Sequence, residues 1–119
     1  MSCIKKFLSL VSLVMFSLIF SQDELGSATW YGRQHHGRKS ADGSVFDKNA
    51  LTAAAPKRYS LGTILRVTNL ENNLSVVVKV TDRGGFERRG RLIDLSESAF
   101  RQIASIRKGV VKVRIEVIK

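Results

Sequence analysis

The stretch SVVVKVTD, residues 75–82, sets the fold of this chain. Val76, Val78 and Val80 fall on one side of an extended backbone, with Val77, Lys79 and Thr81 on the other. This is the two-residue period of a half-buried strand. Asp82 continues the valine series. A carboxylate that ends an inward-facing run lies where a barrel opens, so it is either a buried structural acceptor or a site residue.

The neighbouring segments repeat the pattern. In TILRVTNL, residues 63–70, Leu65 and Val67 alternate with Arg66 and Thr68, and Glu71-Asn72-Asn73 makes the turn into the valine strand. VVKVRIEVI, residues 110–118, places Val111, Val113, Ile115 and Val117 inward against Lys112, Arg114 and Glu116. Ser27 to Tyr31 has strand character and ends at Gly32. A hairpin-like excursion, RQHHGRKSADGSVFD, then turns at Asp42-Gly43. LTAAAPKRYSLG, residues 51–62, reads as loop, with Pro56 and Gly62 as breakers. LIDLS, residues 92–96, is a short strand running into a helix that Ser96 caps, Glu97 favours and Gly109 stops. Ala99, Phe100, Ile103 and Ala104 form its apolar stripe, which reads as core. With no internal repeat, heptad or low-complexity tract, several short strands and one short helix predict a mainly β chain closed into a small barrel.

The 119 residues have room for one small domain. The first 20 join Lys5 and Lys6 to an apolar run from Phe7 to Phe20, the layout of a secretory signal and too short to span a bilayer comfortably. The expected organisation is a signal peptide at 1–21, a short lead at 22–26 and a domain at 27–119, exported to the periplasm or cell envelope of a bacterium. Cys3, the single cysteine, precedes the apolar run, so no lipid anchor is expected and the mature chain has no thiol for disulfides or catalysis. Without Lys5 and Lys6, 18 of the 20 basic residues remain against 10 acidic ones, a formal charge of +8. Such a field attracts polyanions. For an exported chain these are wall polymers and membrane surfaces, and nucleic acid is not the expected partner.

Several chemistries lack support in the motifs. The segment TDRGGFERRGRLIDLS, residues 81–96, contains no GxxxxGK[ST] and lacks the strand-to-helix order of a dinucleotide fingerprint. His35 and His36 are adjacent, point to opposite faces of an extended chain and have no third ligand nearby, so no metal site is expected. No nucleophile-elbow spacing is present. Carboxylate chemistry remains, with Asp82 first, Asp94 second and Asp47 third. For Asp94, just before a helix start, a structural bond to local amides is the stronger reading, and structure is also favoured for Asp47.

The blocks GSATWYG, HGRKSADGSVFD, LTAA, GTILRVTNL, SVVVKVTDRGGF and RLIDLSESAF, in this order and spacing, resemble the rare lipoprotein A family, the septal-ring lytic transglycosylases of bacteria, over residues 26–118. The resemblance implies a six-stranded double-psi β-barrel with one or two short helices, related to expansins and barwin-like proteins. It also implies cleavage of peptidoglycan glycan strands, preferring strands without stem peptides and leaving 1,6-anhydro-muramic ends. Cell-division proteins are the implied partners, a monomer is expected and no cofactor is implied. In the family motif the aspartate of the DRG-F block is a catalytic acid, which is Asp82 here.

Two positions depart from the family. Where it usually writes TANGE this chain has SADGS, with Ser44 in place of the acid, and where it usually writes LTAAH this chain has LTAAA, with Ala55 in place of the histidine. A lytic transglycosylase uses the muramic acid's own C6 hydroxyl as nucleophile, so one aspartate suffices in principle to protonate the leaving oxygen and later accept the hydroxyl proton. A non-catalytic, expansin-like peptidoglycan-binding module is the alternative that Ser44 and Ala55 favour. Arg83, Arg88, Arg89 and Arg91 surround Asp82 in sequence, and a close guanidinium would hold it ionised, whereas burial beside Phe86 would act oppositely. The expectation is Asp82 on the groove floor with the arginine heads several ångströms away. Substrate contacts are expected from Tyr31, through its ring, with Trp30 packing instead; from His36; from Arg83, toward a lactyl carboxylate; and from Asp94.

Overall fold

A computed structural model describes residues 23–32, 34–84 and 90–119. The expected signal segment and Phe86, Arg88 and Arg89 lie outside the described residues. Six strands, β1 (Glu24–Tyr31), β2 (Thr52–Ala55), β3 (Ile64–Asn69), β4 (Ser75–Arg83), β5 (Arg91–Ser96) and β6 (Val111–Val117), close into a barrel in the order β1-β5-β2-β4-β3-β6. The pairs β1·β5 and β2·β4 are parallel and the other four antiparallel. This is the six-stranded double-psi barrel expected. One helix, α1 (Glu97–Arg101), and a 3-10 turn, Ile106–Lys108, complete it among the described residues.

The alternating strands fill the interior. Val76, Val78 and Val80 of β4, Leu65 and Val67 of β3, and Val111, Val113 and Ile115 of β6 are all buried. Each such side chain contributes roughly 1.5–3 kcal/mol over its exposed state, which is why the period-two segments form strands despite their non-local partners. Phe100 and Ile103 join the same core from α1 and the turn after it. Ser96 starts α1: its Oγ accepts from the Ala99 amide at 3.2 Å and donates to the Ala50 carbonyl at 2.6 Å.

Four sequence expectations change. Residues 52–55, read as loop, form β2, wedged between β5 and β4; Ala53, Ala54 and Ala55 are all buried, so no alternation shows, and alanine carries little strand propensity. β1 begins at Glu24, three residues earlier than read, because Glu24 to Ala28 pair with β6. Gly26 hides that start, yet it is required: a Cβ there would stand 2.7 Å from Leu92 Cβ. Val117 is exposed, not inward, at the outer end of β6. Finally, α1 ends at Arg101, and Gly109, at φ 69°, closes the 3-10 turn instead.

Candidate functional site

The pairing between β2 and β4 shifts register between Ala53 and Ala54: Ala53 faces Val80, whereas Ala54 faces Asp82, leaving Thr81 as an extra residue. This is a β-bulge, and it inverts the side-chain phase beyond it. Thr81 is buried, and Asp82 leaves the valine face for the opposite side of the sheet. The alternation reading of Asp82 is corrected accordingly. Ala54 also pairs with Asp94, and Asp94 with Thr29. One row therefore crosses four strands on the outer face: Asp82, Ala54, Asp94, Thr29. At a strand spacing of about 4.8 Å, the two aspartate backbones stand about 10 Å apart.

Their side chains converge on an open cavity of about 380 Å³, whose wall also includes Tyr31, His35, Arg83 and Arg91. The methyl of Ala54 is what leaves this floor low. Asp82 Oδ1 accepts from the Arg83 amide at 2.9 Å and the Ala41 amide at 3.1 Å, the latter tying the 40–44 turn to the strand end. Among the described residues no ion pair to Asp82 forms. Arg83 turns away: its Nη1 donates to the carbonyls of Tyr59 (2.6 Å), Pro56 (3.1 Å) and Ala55 (3.4 Å). That guanidinium therefore braces the 55–59 segment, a structural duty that the expected lactyl contact did not include.

Asp94 accepts a hydrogen bond from Thr29 Oγ1. Its carboxyl is held above the usual aspartate range by burial, against the opposing pull of Arg91 and His35. Asp94 is thus tied to a strand partner, not to the local helix amides that the sequence suggested. Tyr31 stacks on Phe46, with ring centroids 4.6 Å apart, and meets His35 edge-on at 5.3 Å. Burial, then the carboxylates of Asp82 and Asp94, push its phenol well above the ordinary tyrosine value, so it remains a donor. The hydroxyl lies beside Thr52 Oγ1, but neither atom meets a hydrogen-bond partner in good geometry among the described residues.

His36 stands apart from this group. Its Nδ1 accepts from the Lys48 amide at 3.3 Å and lies 4.0 Å from Asp47, outside the cavity lining. His35, in the same turn, occupies the place proposed for its neighbour. Asp47 caps its own turn through the Asn49 amide. Thr29, Ala54, His35 and Arg91 are site residues that sequence reasoning missed, and only the strand order assembles them. Among the described residues no three His, Cys, Asp or Glu side chains gather as metal ligands would.

The family described as lytic transglycolase matches residues 23–115, which takes in β1 to β5, most of β6 and the whole cavity. The chain belongs to the lytic transglycolase family. The Campylobacter jejuni subsp. jejuni protein named endolytic peptidoglycan transglycosylase RlpA is 50% identical over 93 residues, covering 78% of this chain and 33% of that protein. The chain spans about a third of the length of the curated relatives it matches. Among solved structures, the Streptomyces papain inhibitor superposes with a TM-score of 0.69 at 25% identity, covering 84% of this chain and 97% of that one. A Clavibacter michiganensis expansin superposes at 0.66 with 24% identity, over 82% and 51%. The lytic transglycolase barrel and the expansin barrel thus share one fold.

Proposed function

We propose that this domain is exported to the cell envelope and cleaves peptidoglycan glycan strands endolytically, preferring strands without stem peptides. Asp82 carries the reading: its Oδ1 is anchored by two amides at the edge of a sugar-sized cavity, and no arginine clamps it among the described residues. Its other oxygen faces the reaction. Asp82 gives a proton to the glycosidic oxygen as the bond to the muramic C1 breaks. The C6 hydroxyl of the same sugar then closes on C1 and returns its proton to Asp82, leaving a 1,6-anhydro end with every atom and proton balanced. Asp94 binds sugar hydroxyls beside it, the Tyr31 ring borders the same cavity, and the names of the relatives support the substrate class.

A second reading, a module that grips wall polymer without cutting, is favoured by two positions. Ser44 is engaged with Asp42 through both its amide and its hydroxyl, and Ala55 is a fully buried methyl, so neither handles a proton. Incubation with sacculi and with peptide-stripped glycan, followed by mass spectrometry of the soluble products, decides between them. Anhydro-ended fragments establish cleavage; pelleting with the wall and no fragments establishes the binder.

A further inference from the structure

Beyond the Tyr31–His35 edge lies a second, larger cavity of about 580 Å³. It shares Trp30, Tyr31 and His35 with the Asp82 cavity and adds Gln34, Glu97 and Arg101. Both volumes fall within the range of about 300–1,000 Å³ for small-ligand sites.

Its walls are fixed. The Trp30 Nε1 donates to the Ile106 carbonyl at 3.2 Å, which sets the plane of the indole. Gly32 keeps that ring open: a Cβ there would lie 3.2 Å from the indole and 3.6 Å from Glu97 Oε2. Glu97 is buried between Arg101 at 3.2 Å and Lys48 at 3.8 Å, so its charge is matched and it holds the Arg101 head in place. The Arg101 side chain is nonetheless 57% exposed and keeps donors for a ligand.

We propose that this second cavity is a saccharide subsite, holding the sugar ring that adjoins the one at Asp82 on the same glycan strand. A flat aromatic face bordered by an amide, an imidazole and a guanidinium matches a pyranose, which offers CH groups on one face and hydroxyl and acetamido groups around its rim. The shared wall makes the two cavities one trough, and that continuity selects a chain-like ligand over two unrelated ones. The inference rests on the glycan-binding part of the proposed function.

Trp30 is the only tryptophan in the chain and borders both cavities, so its emission reports on the pair, whereas Gln34 and Arg101 line the second cavity alone. Uncut peptide-stripped glycan oligosaccharides are titrated into full-length Asp82→Asn protein, with calorimetry in parallel and product analysis on the wild type. The expected result is a saturable change in Trp30 emission that tracks calorimetric binding, with Kd raised about tenfold in Arg101→Ala or Gln34→Ala, as for one lost polar contact. Calorimetric saturation with silent Trp30 emission overturns the subsite and leaves the cleavage reading intact. A Trp30 response that weakens in Arg101→Ala and Gln34→Ala, without wild-type fragments, upholds the subsite and overturns cleavage; a response with an unchanged Kd in both variants overturns the subsite. Absence of glycan binding by both methods overturns the two together.

Discussion

Replacing Asp82 by asparagine removes the titrating proton while keeping the shape. Asparagine retains an oxygen at the Oδ1 position, where the Arg83 and Ala41 amides donate at 2.9 and 3.1 Å. Stability should therefore change by no more than about 0.5 kcal/mol. General acid–base help is worth about 10²–10⁴ in rate, or about 2.7–5.5 kcal/mol of barrier, and all of it should vanish. Asp82→Ala strips the same proton and also abandons both amides, costing about 1–2 kcal/mol at this partly exposed position and loosening the 40–44 turn. The assay pairs release of anhydro-ended fragments from peptide-stripped glycan with urea midpoints for the three proteins. Retention of more than about a tenth of wild-type activity by the asparagine variant would refute the proton-transfer role. Equal destabilisation by asparagine and alanine would refute the anchoring role of Oδ1.

Asp94 binds its proton more tightly in the folded chain than in the unfolded one, because burial raises its carboxyl. Its favourable share is complete below the unfolded value, about 3.9, and is lost as pH rises through the folded one. The urea midpoint of the wild type should thus fall relative to Asp94→Asn as pH is raised from 3 to 8; a constant difference rules this out. Ala54→Leu should fill the floor between the two aspartates and lower glycan affinity at least about tenfold in calorimetry, while overpacking a buried position lowers stability by about 1–3 kcal/mol; unchanged affinity would show that the strand does not cross Ala54. Ser96→Ala removes the cap on α1 and strands the Ala50 carbonyl. The sum is about 2–4 kcal/mol by urea titration, and a loss below about 1 kcal/mol contradicts it.

Three of the strands legible in the sequence expose residues on one face. In β3, β4 and β6 each inward residue alternates with a polar or exposed one, so period alone finds them. β2 escapes because its alanines are buried on both sides, where size is dictated by β5 and β4 and no polar phase survives. The start of β1 escapes because Gly26 answers to Leu92, a contact 66 positions away. In both cases the deciding neighbour is remote in sequence, and a local window carries no trace of it.

The site shows the same division more sharply. Asp82 is visible as a carboxylate near a strand end and Asp94 as one just before a helix start, but their partnership depends on Ala54 lying between them, and on the bulge at Thr81 that moves Asp82 to the face Asp94 occupies. Without that extra residue Asp82 would follow Val80 into the barrel, as alternation predicts, and the cavity would hold a single carboxylate. The bulge exists only as a mismatch between two strands, so neither strand encodes it alone. It also gives the barrel its division of labour: up to Val80, β4 contributes to the core, and from Asp82 onward it contributes to the trough. Family resemblance selects Asp82 through a motif, whereas the register supplies the physical reason that a residue continuing a hydrophobic series can line the cavity at all.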